Sequence, residues 1–68
     1  MTVGSQLHGT LASLRSIEAT LSTLAQKTEE QEAREAFHQG ALKTRTVIHE
    51  LAKRVHQVEN EEPQYQQT

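Results

Sequence analysis

The sequence predicts an all-α fold, an antiparallel two-helix hairpin that pairs into a homodimeric four-helix bundle or a larger helical assembly. Two amphipathic helical patterns fill most of the 68 residues, and no alternating strand pattern competes with them. The single proline is Pro63, so nothing between residues 5 and 60 decisively breaks a helix. Because one helix of that length would be unusual, the polar segment between the two patterns predicts a turn.

The first pattern predicts helix 1 at about residues 4–26. Its apolar side chains recur every three or four positions, as one face of an amphipathic helix requires. These side chains are expected to pack against the second helix. The predicted core residues of helix 1 are Leu7, Leu14, Ile17, Leu21 and Leu24.

The second pattern predicts helix 2 at about residues 30–60, after a turn at about residues 27–30 and before a tail at residues 61–68. A connection this short predicts antiparallel helices, so residues 1–68 form a single hairpin domain. The predicted core residues of helix 2 are Phe37, Ile48, Leu51 and Val55.

A capping box is predicted at the start of helix 2. Thr28 is followed three residues later by Gln31, which fits the pattern with Thr28 as the N-cap. Acidic residues follow in the first turn, where the helix dipole favours them.

The composition favours association with a partner. Hydrophobic residues make up 34% of the chain, with one Phe, one Tyr and no Trp, which is thin for an independent core. Without cysteine, the chain has neither a disulfide framework nor a thiolate zinc site. A small chain of this kind needs a partner for stability, and a dimer of identical chains is favoured.

The charge and the hydropathy pattern argue against two further classes of function. The net charge is −2, and no basic cluster with interleaved aromatic residues indicates nucleic acid binding. No segment approaches the roughly 20 apolar residues of a membrane span, and no secretory signal pattern opens the sequence. We therefore expect a cytoplasmic protein without membrane insertion.

A stripe of small uncharged residues on helix 1 predicts a second interface. At about 100° per residue, these positions lie opposite the line of Leu7, Leu14 and Leu21. Because small side chains let another backbone approach closely, a second chain is expected there, with solvent as the alternative. The small-residue stripe consists of Ser5, Gly9, Ala12, Ser16, Ala19 and Thr23.

Glu35 and His38 have the three-residue spacing with which di-iron helical bundles present metal ligands. Glu35, however, lies about 160° from Phe37 on the core face, and His38 about 100°, so both point outwards. His38, His49 and His56 lie near one line of helix 2, at roughly 16 and 10 Å intervals along the axis. We expect them to be solvated, with a metal site or a pH-sensitive contact shared with a second chain as the alternative.

Glu18 is the carboxylate nearest an apolar seam, about 40–60° from the line of Leu14 and Leu21. An unpaired buried carboxylate would be costly. Since Arg45 lies within reach in an antiparallel hairpin, an ion pair between Glu18 and Arg45 is predicted. A metal-binding or proton-handling role for Glu18 is the alternative.

No residue pattern indicates an enzyme, and neither catalytic residues nor a cofactor are predicted. A nucleophile elbow, a Ser–His–acid arrangement and a glycine-rich phosphate loop are all missing from the sequence. The predicted function is that of a non-enzymatic, self-associating structural or interaction module. One alternative is a metal or small-ligand site at an oligomer interface. Another is a soluble adaptor that docks on a membrane-protein partner through residues 59–68.

Four segments together resemble a known family: residues 1–6 (MTVGSQ), 10–15 (TLASLR), 19–21 (ATL) and 61–65 (EEPQY). Over nearly its whole length the chain is similar to a small family of domains of unknown function, number sixteen fifty-seven, of spore-forming bacteria. Some members are encoded beside membrane proteins linked to spore dipicolinate channels and heat resistance. The resemblance implies an accessory or structural role in sporulating cells, in the cytoplasm, the forespore or the spore. It assigns no catalytic or ligand residues.

Overall fold

Two α-helices form an antiparallel hairpin in a computed structural model of the chain. α1 spans Val3–Lys27 and α2 spans Gln31–Glu61. The structure describes residues 2–61, with side chains as far as Gln57, and residues 62–68 of the predicted tail lie outside this range. No strand occurs among residues 2–61, so the predicted all-α hairpin is confirmed.

α1 begins at a cap that was not predicted from the sequence. The side-chain oxygen of Thr2 accepts a hydrogen bond from the Ser5 backbone N–H at 3.1 Å. The Thr2 carbonyl accepts another from the Gln6 N–H at 3.0 Å. The first bond satisfies a donor that the first turn of a helix otherwise leaves unpaired, and the second is the first i→i−4 bond of α1. α1 therefore starts at Val3 rather than at residue 4.

Thr28 ends α1, whereas the sequence pattern predicted it as the N-cap of α2. Its backbone is extended, with φ −81° and ψ 128°, and its N–H donates to the Leu24 carbonyl at 2.9 Å. Glu30 takes the N-cap position instead, because its carbonyl accepts a hydrogen bond from the Arg34 N–H at 2.9 Å. The capping-box prediction was wrong because Gln31 is the first residue of α2, and a capping box needs its partner at the third.

A small apolar core joins the two helices. Leu11, Ile48 and Val55 are buried and form one cluster, and Ala25 and Ala41 are buried elsewhere along the seam. Three of these five residues, the two alanines and Leu11, were not on the predicted core list. The residues on that list that are half-buried are Leu7, Leu14, Leu21, Phe37 and Leu51.

Two residues predicted in the core are exposed. Ile17 keeps 48% of its accessible surface and Leu24 keeps 38%. Both lie about 120–140° around α1 from the buried Leu11, beyond the arc that one antiparallel neighbour covers. The prediction was wrong for these two residues because helical periodicity marks an apolar face without saying how many helices cover it.

The hairpin is long and thin, with extents of 49 × 17 × 11 Å. Each of its two broad faces therefore contains both helices side by side. Neither helix has, over the part of the chain that the structure describes, an apolar stretch long enough to cross a membrane. The two broad faces are therefore the main candidate functional surfaces of the hairpin.

Candidate functional site

One broad face of the hairpin carries the histidines. At about 100° per residue, His8 lies about 60° from the core residue Leu11, and His56 lies about 80° from the core residue Ile48. Both histidines line a single groove, so these rotations on the two helices lead to the same side of the hairpin. We call this side the histidine face, and it comprises His8, His38, His49 and His56.

The opposite broad face is apolar. Three large aliphatic residues of α1 lie about 80–140° around the helix from Leu11, on the side away from His8. One large aliphatic residue of α2 lies about 100° around its helix from Ile48, again on the side away from the histidines. Because the histidines share one face, these four side chains emerge together on the other. We call it the apolar face, and its exposed members are Val3 (51%), Ile17 (48%), Leu24 (38%) and Val47 (46%).

The apolar face is continuous across the two helices. Half-buried residues from both helices fill the surface between its exposed members, because they lie about 60–80° from the seam on the same side. Ile17 of α1 and Val47 of α2 lie at about the same level of the hairpin, since Glu18 and Arg45, one and two residues away, form a direct contact. The half-buried residues of this face are Leu14, Leu21, Gly40 and Leu51.

The histidine face holds two open grooves. The groove near the open end of the hairpin has a volume of about 260 Å³ and is lined by His8, Arg15 and His56, with apolar residues at its base. The groove near the turn has a volume of about 560 Å³, and its lining includes His38. An exposed aliphatic residue, Leu42, lies on this side without an aliphatic neighbour of its own size.

The residues with metal-ligand spacing lie beside each other on the histidine face. Glu35 and His38 are both exposed and line the groove near the turn with Arg34. Glu35 Oε1 accepts a hydrogen bond from Gln31 Nε2 at 3.2 Å, one helical turn earlier. Among the described residues, no three histidine or carboxylate side chains are grouped closely enough to hold one ion.

Glu18 is paired rather than free to act as a ligand. Arg45 Nε donates to Glu18 Oε2 at 2.8 Å, which confirms the predicted ion pair. The Glu18 side chain is 20% exposed and that of Arg45 is 55% exposed, so the carboxylate is the more buried partner. The pair ties the middle of α1 to the middle of α2.

The small-residue stripe is not covered by α2. Ser5 is half-buried, and its hydroxyl accepts a hydrogen bond from the Thr2 hydroxyl at 3.1 Å, so it belongs to the cap of α1. A Cβ added at Gly9 would meet no atom within 4 Å. The stripe lies on a different side of α1 from the apolar face, so the two are separate candidate interfaces. Its remaining members, all exposed, are Gly9, Ala12, Ser16, Ala19 and Thr23.

The apolar face was not predicted as a surface of its own. Ile17 and Leu24 were assigned to the core, whereas Val3 and Val47 were not assigned to any site. A signal for it does exist in the sequence, because Val3, Ile17 and Leu24 fall on one line of seven-residue spacing. Together with the core positions, this line makes the apolar arc of α1 wider than one partner helix requires.

The fold and its two faces define the class: a small all-α hairpin protein with a thin core and one exposed apolar face. The family follows from a match of residues 7–55 to the family described as protein of unknown function (DUF1657), and the chain belongs to that family. The match covers most of each helix and the turn between them. No curated protein and no solved structure matches the chain.

Proposed function

We propose that this protein is a non-enzymatic helical hairpin that acts by self-association, as a structural or interaction module. The observation that supports the proposal is the distribution of its large aliphatic side chains. Five of them are exposed, whereas only three large aliphatic side chains are buried among the described residues. A chain that leaves this much apolar surface in water gains stability when another chain covers it.

The test of self-association is a mass measurement over a range of concentrations. The full chain has a mass of 7.7 kDa, and size-exclusion chromatography with light scattering distinguishes this mass from multiples of it. We expect a species of twice the monomer mass or more at micromolar concentrations, dissociating on dilution. Native mass spectrometry of the same sample gives the stoichiometry independently.

The family resemblance supports a cellular setting for this module. We place it as an accessory protein of sporulating cells, in the cytoplasm or the forespore. Deleting the gene in a spore-forming host and counting heat-resistant spores tests this setting. A variant that cannot self-associate should reproduce the deletion phenotype, whereas an unchanged spore count in both strains would contradict the setting and leave self-association standing.

A further inference from the structure

We infer that the apolar face is the surface on which a second copy of this chain docks, and that the small-residue stripe is not. This inference rests on the proposed self-association and assigns a surface to it. The contact is centred on Ile17 and Val47, which lie at one level of the hairpin and are 48% and 46% exposed. Leu24 extends it towards the turn and Val3 towards the open end.

One broad side of the hairpin is large enough for a dimer contact. The face is one broad side of a hairpin that measures 49 by 17 Å in its two longer directions. A side of this length and width leaves room for the ~800 Å² that each partner contributes to a standard interface. The stripe runs along one edge of α1 only, so a contact limited to it would bury less surface.

The charges that border the apolar face suit a second copy. In a two-fold dimer both chains present the same patch, so a border of one charge sign would repel itself. The outer border on α2 alternates in sign, with Glu32, Lys43, Glu50 and Arg54 lying within about 40° of one another around the helix. The corresponding border on α1 consists of Gln6, Ser13 and Thr20, which are uncharged, and ends at Lys27 beside the turn. A second copy therefore meets no row of like charge.

Residues 62–68 are too few to cover the whole length of this face. They follow the end of α2 at Glu61, which lies at the Val3 end of the hairpin. Fully extended, seven residues span at most about 25 Å, whereas Leu24 lies about 32 Å along α1 from Val3. The segment also contains only one large apolar side chain, Tyr65. A second copy covers the whole length of the face, and this segment does not.

The first test compares matched charge substitutions on the two surfaces. Ile17→Glu and Val47→Glu place a charge in the apolar face, and Ala12→Glu places the same charge in the stripe. We expect the first two variants to raise the dissociation constant of the dimer by about 30-fold or more, the size of a hot-spot effect. Ala12→Glu should leave the dissociation constant unchanged. Far-ultraviolet circular dichroism checks that each variant remains helical.

The second test does not depend on disruptive variants. The chain has no cysteine, so single variants Ile17→Cys, Val47→Cys and Ala12→Cys each report one position through the rate of alkylation by a maleimide. We expect the first two to react several-fold more slowly when the protein is concentrated enough to dimerise, and Ala12→Cys to react at one rate throughout. If a glutamate variant loses its helicity, these rates decide the question.

Three outcomes would overturn the inference in distinguishable ways. If Ala12→Glu dissociates the dimer while Ile17→Glu and Val47→Glu remain dimeric, the interface lies on the stripe and the proposed self-association still stands. A wild-type chain that stays at 7.7 kDa at every concentration would overturn both the surface and the proposed function. Retention of the dimer by all three glutamate variants, with no protected cysteine, would exclude both surfaces but not self-association.

Discussion

Arg45 Nε lies 2.8 Å from Glu18 Oε2, and this contact joins two helices at positions 27 residues apart in the chain. The Arg45 side chain is 55% exposed, so solvent screens the attraction. Exposed pairs of this kind contribute about 0.2–1 kcal/mol. The contact therefore marks the level at which the two helices lie side by side, and it adds little to the free energy of unfolding.

Replacing Arg45 should lower the free energy of unfolding more than replacing Glu18 does. Arg45→Met leaves Glu18, at 20% exposure, without its charged partner, whereas Glu18→Gln keeps a group that can accept a hydrogen bond. We expect Arg45→Met to lower the free energy of unfolding by about 1 kcal/mol and Glu18→Gln by less. A double-mutant cycle by chemical denaturation measures the coupling. A coupling energy of zero at low salt would contradict the contact.

Thr2→Ala should destabilise the start of α1. The substitution removes the oxygen that accepts the Ser5 N–H, a loss that typically costs about 1 kcal/mol at an N-cap. Amide hydrogen exchange at Ser5 and Gln6 should accelerate, and the thermal midpoint should fall. Thr23→Ala, at an exposed position within α1, is the matched control: it should leave exchange at Ser5 and Gln6 unchanged and should not lower the thermal midpoint, because alanine favours a helix more than threonine does. Equal effects of the two substitutions would show that the cap contributes nothing.

Gly9→Ala and Gly40→Ala should both stabilise the hairpin, by different amounts. Alanine is favoured over glycine inside a helix by roughly 0.5–1 kcal/mol. At Gly9 the added methyl meets no atom, so the full gain is expected. At Gly40 it would lie 3.4 Å from Leu21 Cδ1, so the leucine must adjust slightly and the gain is smaller. The thermal unfolding midpoints of the two variants, measured at one protein concentration, show which substitution stabilises more.

Ile48→Ala and Ile17→Ala should separate folding from association. Ile48 is 6% exposed, and its truncation should cost about 2–5 kcal/mol, a large fraction of the stability of a small domain. Ile17 is 48% exposed, so its truncation should change the stability of the monomer by only about 0.5 kcal/mol in either direction. The effect of Ile17→Ala should grow with protein concentration, because it acts through the dimer. Equal losses for both variants in dilute solution would contradict the exposure of Ile17.

The fold was predictable because its elements depend on local patterns. Helical spacing of apolar residues gave both helices, and the polar segment between them gave the turn. The Glu18–Arg45 pair also followed from sequence, since the position of the turn fixes the register of an antiparallel hairpin. These inferences need only the geometry of a helix and the place where the chain reverses.

The candidate site was less predictable because it depends on how much of each helix a neighbour covers. Ile17 and Leu24 satisfy the helical pattern as well as Leu14 does, yet they lie beyond the reach of α2. A threonine can flank either end of a helix. Thr28 ends α1 rather than capping α2, because α2 begins only at Gln31, three residues later. The spacing of apolar residues shows on which side of a helix they lie. How many of them a neighbouring helix covers depends on the packed structure.

The three-residue connection between α1 and α2 also governs how the chain folds. Closing a loop this short costs little entropy, so the first contacts between the helices form beside the turn, around Ala25, and later ones spread towards Val55. Substitutions at Ala25 should therefore slow folding, whereas substitutions at Val55 should mainly speed unfolding. We therefore expect the hairpin to close from its turn, with its open end the last part to form and the first to separate.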